Sequence, residues 1–125
     1  MAKKTAKPRF AEIVPIFRVR KVKAAIAFYV KKLGFKQEFV WPPKGETKYA
    51  GVSRDDIDIH LTSYDDVKSS ASSAMIFMSG VDAYYAEVKK RKAPIETEIA
   101  DRDYAMRDFS VKDLDDNVIA FGQGI

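Results

Sequence analysis

"VKAAIAFYVKKLGF", residues 22–35, decides how this chain folds. Its apolar residues Val22, Ala25, Ile26, Tyr29, Val30 and Leu33 recur at helical spacing, two lysines close the last turn, and Gly34 supplies a stop. On its N-terminal side "EIVPIFRVR" (12–20) is β-branched and aromatic and reads as a strand, with Pro15 marking an edge or a strand start. On its C-terminal side "KQEFVW" (36–41) is a second strand, and "PPKGE" (42–46) is a loop. "KYAGVSR" (48–54) and "IDIHLTSY" (57–64) follow as strands joined at Asp55-Asp56. A helix placed between strands of one sheet implies a crossover packed on one face of that sheet.

The pattern then restarts. "DDVKSSASS" (65–73) has linker composition, "SAMIFMSG" (73–80) reads as a strand, and "VDAYYAEVKKRKA" (81–93) as a helix ended by Pro94. Val81, Tyr84, Tyr85 and Val88 form its apolar stripe, with Lys92 at the stripe's far end. "ETEIADR" (96–102), "MRDFSVKD" (106–113) and "NVIAFGQ" (117–123) are three more strands. Laying Val22 on Val81 pairs Ala24 with Ala83, Ala27 with Ala86, and Lys31-Lys32 with Lys90-Arg91. The order of elements repeats more clearly than the residues do. The expected fold is α+β: two βαβββ modules, about 11–66 and 72–124, forming a curved mixed sheet with a concave cavity. Residues 11–125 make one domain, preceded by a flexible basic tail over 1–10.

Composition narrows the function. The 125 residues, 46% hydrophobic and 32% charged, suit one globular domain. No apolar run approaches the ~20 residues of a membrane span, and no signal-peptide core is visible, so a cytoplasmic protein is expected. With no cysteine there are no disulfides, thiol nucleophiles or zinc–thiolate sites. The net charge of +4 comes from Lys3, Lys4, Lys7 and Arg9; without these four of the 22 basic residues, 18 remain against 18 acids. Such a tail can lean on phosphates, but termini are more commonly solvated arms, so nucleic acid is not the expected partner.

Three stretches carry a family likeness. "AIAFYVKKLGF" looks like the first-helix signature of the vicinal-oxygen-chelate superfamily, an aromatic pair followed by Leu-Gly-Phe. "YAGVSRDDIDIHL" is similar to the third and fourth strands of its bleomycin-resistance proteins, and "MRDFSVKDLDDNVIAF" to their final hairpin. The chain thus resembles, over about residues 12–123, the superfamily of glyoxalase I, extradiol dioxygenases, fosfomycin-resistance enzymes and bleomycin-resistance proteins, and the last of these most. The usual Asp-Pro-x-Gly turn is Asp113-Leu114-Asp115-Asp116 here; Asp116 and Asn117 tolerate the left-handed backbone such a turn needs. The tryptophan usual before the Arg-Glu-Phe run falls near Tyr104-Ala105.

The resemblance also implies where a metal would be held: His or Gln, His, and Glu on the first, fifth and eighth strands. Those positions are Pro15, about Ser73, and Ala120. Pro and Ala have no electron pair to donate, and Ser is a poor ligand for zinc, nickel or iron. The single histidine, His60, lies on the fourth strand. No metal and no cofactor is expected.

Strand alternation gives the facing. Ile57, Ile59 and Leu61 lie under a helix, so Asp58, His60 and Thr62 look toward the cavity; Phe39 shares a face with Trp41, and Ser73 with Met75 and Phe77. The resemblance implies that Phe39, Tyr49, Met75 and the stretch from Tyr104 to Arg107 line a groove at a dimer interface. Phe39, Trp41, Tyr49, Asp58, His60, Met75, Tyr104, Arg107 and Asp108 are therefore the candidate ligand-binding residues, with no catalytic residue assigned. Each has a plainer reading: aromatics usually pack, and a strand histidine is more often satisfied than reactive.

The expected function is that of a non-catalytic binding protein of the bleomycin-resistance type. It would sequester a small aromatic, drug-like or antibiotic-like molecule in a homodimer groove. The alternative is a glyoxalase-like lyase or isomerase with an unusual or absent metal site, using His60 with Asp58 or Asp108. A third reading makes the basic tail a contact for nucleic acid or an acidic partner.

Overall fold

The structure, a computed structural model, describes residues 7–65 and 71–125. Part of the expected tail and most of the expected linker lie outside these residues. The first module runs β1 (Ile16–Arg18), α1 (Val22–Leu33), β2 (Lys36–Trp41), β3 (Tyr49–Arg54) and β4 (Ile57–Thr62). The second runs β5 (Ser73–Phe77), α2 (Val81–Lys90), β6 (Ile95–Asp101), β7 (Met106–Lys112) and β8 (Val118–Gly124). Each module forms its own four-stranded mixed sheet, in the orders β1-β4-β3-β2 and β5-β8-β7-β6. The first strand pairs parallel with the last, and the other pairings are antiparallel. The two βαβββ units are as the repeat implies. β1 is shorter than 12–20 and lies at an edge, where a neighbouring proline is tolerated.

α1 ends as its sequence dictates. Gly34 takes φ 74°, its N–H reaches Val30 O at 3.2 Å, and the Phe35 N–H reaches Tyr29 O at 3.0 Å. The carbonyls left over are capped from outside the helix. Leu33 O accepts the Tyr84 hydroxyl of α2 at 2.7 Å and Arg54 Nη1 at 3.1 Å, while Lys31 O accepts Arg91 Nη1 at 3.2 Å. A Cβ on Gly34 would stand among Arg54 Nη1, Glu87 Oε2 and Arg91 Nη2, so glycine is required for space as well as for φ.

The β7–β8 turn succeeds without Pro or Gly. Asp116 adopts φ 66°, and the Asp113 carboxylate accepts the backbone N–H groups of Asp115 at 2.8 Å and Asn117 at 2.9 Å. The same carboxylate accepts the Tyr29 hydroxyl at 2.8 Å and Asn117 Nδ2 at 3.0 Å. Arg20 bonds Asp115 through Nε at 2.8 Å and Leu114 O through Nη2 at 2.6 Å. The turn of the second module is thereby bolted to the β1–α1 junction of the first. One core is shared, with Phe17, Tyr29, Leu33, Ile59 and Leu61 from the first module and Val88, Phe109 and Ile119 from the second. Among the described residues no helix is long and apolar enough to cross a membrane.

Candidate functional site

The helix-bearing face of each sheet is buried and the opposite face is open. On β4, Ile59 and Leu61 are buried under α1 while Asp58 and His60 are half-buried on the other side, as alternation requires. Thr62, expected on the open side, is buried, and its hydroxyl accepts the Tyr64 N–H.

β2 reaches its facing by an irregularity. The register shifts between Gln37 and Phe39, leaving Glu38 as an extra residue, so that Phe39 stands opposite Gly51 and Trp41 opposite Tyr49. Without that shift, the residues on Lys36's face would be Glu38 and Val40. With it, Phe39 and Trp41 join Tyr49 on the open side, and the Glu38 carboxylate accepts the Ser53 hydroxyl. Gly51 makes room: a Cβ there would run into the Phe39 ring.

Phe39, Tyr49 and His60 form one aromatic group on this face. Phe39 stacks with Tyr49 at 6.1 Å between centroids and 19° between planes. His60 meets both edge-on, at 5.2 Å from Phe39 and 5.3 Å from Tyr49, and its Nδ1 lies 2.8 Å from the Tyr49 oxygen. Trp41 lies beside them, 56% exposed, and Phe39 is 41% exposed. An uncovered aromatic surface of this kind is uncommon on a monomer unless something binds it.

The second sheet has its own open face. Met75 lies opposite Ala120, and the methyl groups of Met75 and Met106 converge with Asp108 above Gly122, whose missing Cβ would meet them at 2.7, 3.0 and 2.9 Å. Asp108 is buried and accepts the Tyr104 hydroxyl at 2.7 Å and Arg102 Nε at 2.8 Å. Burial alone would push the Asp108 carboxyl up, but the bonds from Arg102 and Tyr104 hold it below its ordinary value. A carboxylate held ionised in this way is a poor general base near neutrality.

Arg107 is placed differently from the other candidates. It lies next to Asp108 on a strand and so points to the helix side, where it bonds Asp82 of α2 at 2.9 Å and Asp101 at 3.1 Å. Those two aspartates raise its pKa, Asp82 foremost. The structure thus gathers Phe39, Trp41, Tyr49, Asp58 and His60 on one open face and Met75, Tyr104 and Asp108 on the other, with Arg107 on neither. Sequence reading missed Arg102, which acts across the β6–β7 hairpin; its six-residue separation from Asp108 is the only signal, and it is weak.

The positions matching the superfamily's metal ligands do not fit a metal. Ala120 is flanked by Met75 and Ser110, and among the described residues no group of three or more His, Cys, Asp or Glu side chains comes together. A cavity of about 580 Å³ lies elsewhere, between the β3–β4 turn and the β5–α2 junction, and is lined by none of the nine candidates.

A family model described as "Glyoxalase/Bleomycin resistance protein/Dioxygenase superfamily" matches residues 9–121. The chain belongs to this superfamily. Among solved structures, a bleomycin-binding protein from bleomycin-producing Streptomyces verticillus, complexed with copper(II)-bleomycin, is 25% identical with a TM-score of 0.74, covering 95% of this chain and 100% of that one. TioX from Micromonospora sp. ML1 has a TM-score of 0.81 at 16% identity, covering 93% of this chain and 100% of its own. TnmS3, an antibiotic binding protein from Streptomyces sp. CB03234, has a TM-score of 0.71 at 20% identity, covering 94% and 100%. The last two share the fold. A search of curated protein sequences returned no match. Members of the glyoxalase/bleomycin resistance superfamily include enzymes and binding proteins alike, so the side chains on the open faces must discriminate.

Proposed function

We propose that the protein binds and sequesters a planar aromatic or antibiotic-like small molecule without transforming it. The observation that carries this reading is the exposed group of Phe39, Trp41, Tyr49 and His60 on an open sheet face. Flat side chains in that arrangement hold a heteroaromatic guest by stacking and edge contacts, with Asp58 and the outer nitrogen of His60 orienting it. The donor set at the superfamily's metal positions gives no support for coordination chemistry.

The groove is completed by a second copy of the chain. The first sheet's open face in one protomer stands against the second sheet's open face in its partner, with Met75, Tyr104 and Asp108 closing over the guest. The exposure of Phe39, Trp41 and Tyr104, at 41%, 56% and 64%, supports such a cover. The absence of cysteine suits a cytoplasmic setting.

Trp41 is the only tryptophan, so its fluorescence reports on the site directly. Titration with bleomycin-type and other aromatic drugs is expected to quench it saturably and to raise the melting temperature, a ligand at 100 times its Kd adding about 2.7 kcal/mol. No quenching and no thermal shift across such a panel would overturn the reading. Turnover of an offered ligand would favour the lyase or isomerase alternative.

A further inference from the structure

Net charge hides how the cations are distributed once the chain folds. α1 ends in Lys31-Lys32, and α2 ends in Lys89-Lys90, followed by Arg91 and Lys92. A lysine in a helix's last turn is ordinary, because it complements the helix dipole. Placing two such ends side by side is a separate matter. Arg91 Nη1 bonds the carbonyl of Lys31, and the Tyr84 hydroxyl of α2 bonds that of Leu33, so the two C-terminal turns abut. In the stretches 31–36 and 87–93 the only acid is Glu87, and its carboxylate is already held by Arg54 at 2.7 Å and Arg91 at 2.9 Å. Of the six cations at the two ends, all but the half-buried Lys32 are exposed.

We infer that this joined pair of helix ends is a docking surface for the phosphate backbone of nucleic acid. Lysines presented as point charges on a fixed platform neutralise phosphates and release counterions without reading bases. None of the exposed large hydrophobic side chains belongs to residues 31–33 or 89–92, which removes the apolar wedge that insertion at a lipid surface requires. The surface lies at the helix ends, away from the open sheet faces, so it stands independently of the ligand groove.

The test is fluorescence anisotropy of a labelled duplex of about 20 base pairs with the full chain, between about 50 and 200 mM salt. The variant Lys31→Gln/Lys32→Gln/Lys89→Gln/Lys90→Gln is expected to stay cooperatively folded, with a modestly lowered melting temperature from the lost helix-dipole contacts, and to raise Kd at least tenfold at the lower salt. Its log–log salt slope should fall by roughly three to four, near 0.9 per charge removed. A second variant neutralises Lys3, Lys4, Lys7 and Arg9. No saturable binding by the wild-type chain, or loss of binding in the tail variant alone, would overturn the inference. Equal, equally patch-dependent binding of poly-glutamate would overturn it in favour of an acidic protein partner.

Discussion

The Tyr49 oxygen lies 2.8 Å from Nδ1 of His60, and the two rings meet at 78°. With the tyrosine donating, Nδ1 is the acceptor and the ring's N–H is on Nε2. Tyr49→Phe removes that restraint while keeping the ring. It is expected to weaken ligand binding by about 0.5–1.5 kcal/mol, a few-fold to about tenfold, with little change in melting temperature. Trp41 quenching titrations measure the difference.

Asp113 is the buried acceptor on which the last turn, α1 and Asn117 converge. Asp113→Ala leaves several buried donors unpaired and is expected to cost about 3 kcal/mol or more, whereas Tyr29→Phe costs about 1 kcal/mol. Urea denaturation of the two variants checks the ranking. Equal losses would show that the turn does not need its carboxylate.

Gly34→Ala meets two penalties at once, a left-handed backbone at φ 74° and a Cβ placed among the groups that cap α1. The backbone part alone is about 1–2 kcal/mol. Displacing Arg54 and Arg91 adds to it, so a fall in melting temperature of at least several degrees is expected in a thermal scan.

Asp108 and Glu87 are both held below their ordinary pKa values, although burial opposes the shift in each; Arg54 is the chief cause for Glu87, and Arg102 with Tyr104 for Asp108. A depressed folded-state pKa gives stability that is present above the unfolded value, about 4 for these groups, and is lost as pH falls through the folded value. Stability is therefore expected to fall on acidification below about pH 4 to 5. Asp108→Asn should be less stable at neutral pH and show a shallower acid loss. Urea midpoints measured from pH 7 down to about pH 2 give both.

Much of the fold was legible because it repeats. Strand, helix and three strands recur with Gly34 and Pro94 as punctuation, and alternation on β4 put Ile59 and Leu61 under the helix. The site was legible only in part. Arg107 and Asp108 are consecutive on one strand, so they cannot share a face, and the structure gives them different partners, Asp82 and Arg102 respectively. Arg102 could not be placed because its role depends on how β6 and β7 are registered, with Ala100 opposite Asp108. The capping of α1 by Tyr84 and Arg91 depends on how the two modules meet, which local periodicity does not encode.

The extra residue at Glu38 has a consequence for how such a surface evolves. Because strand side chains alternate, the bulge alone decides the outward set: Phe39 and Trp41 with it, Glu38 and Val40 if the same residues paired without it. A scaffold of this kind can trade a greasy, flat-ringed lining for an acidic, aliphatic one by passing a single residue from the strand into the loop that follows it, leaving every helix in place.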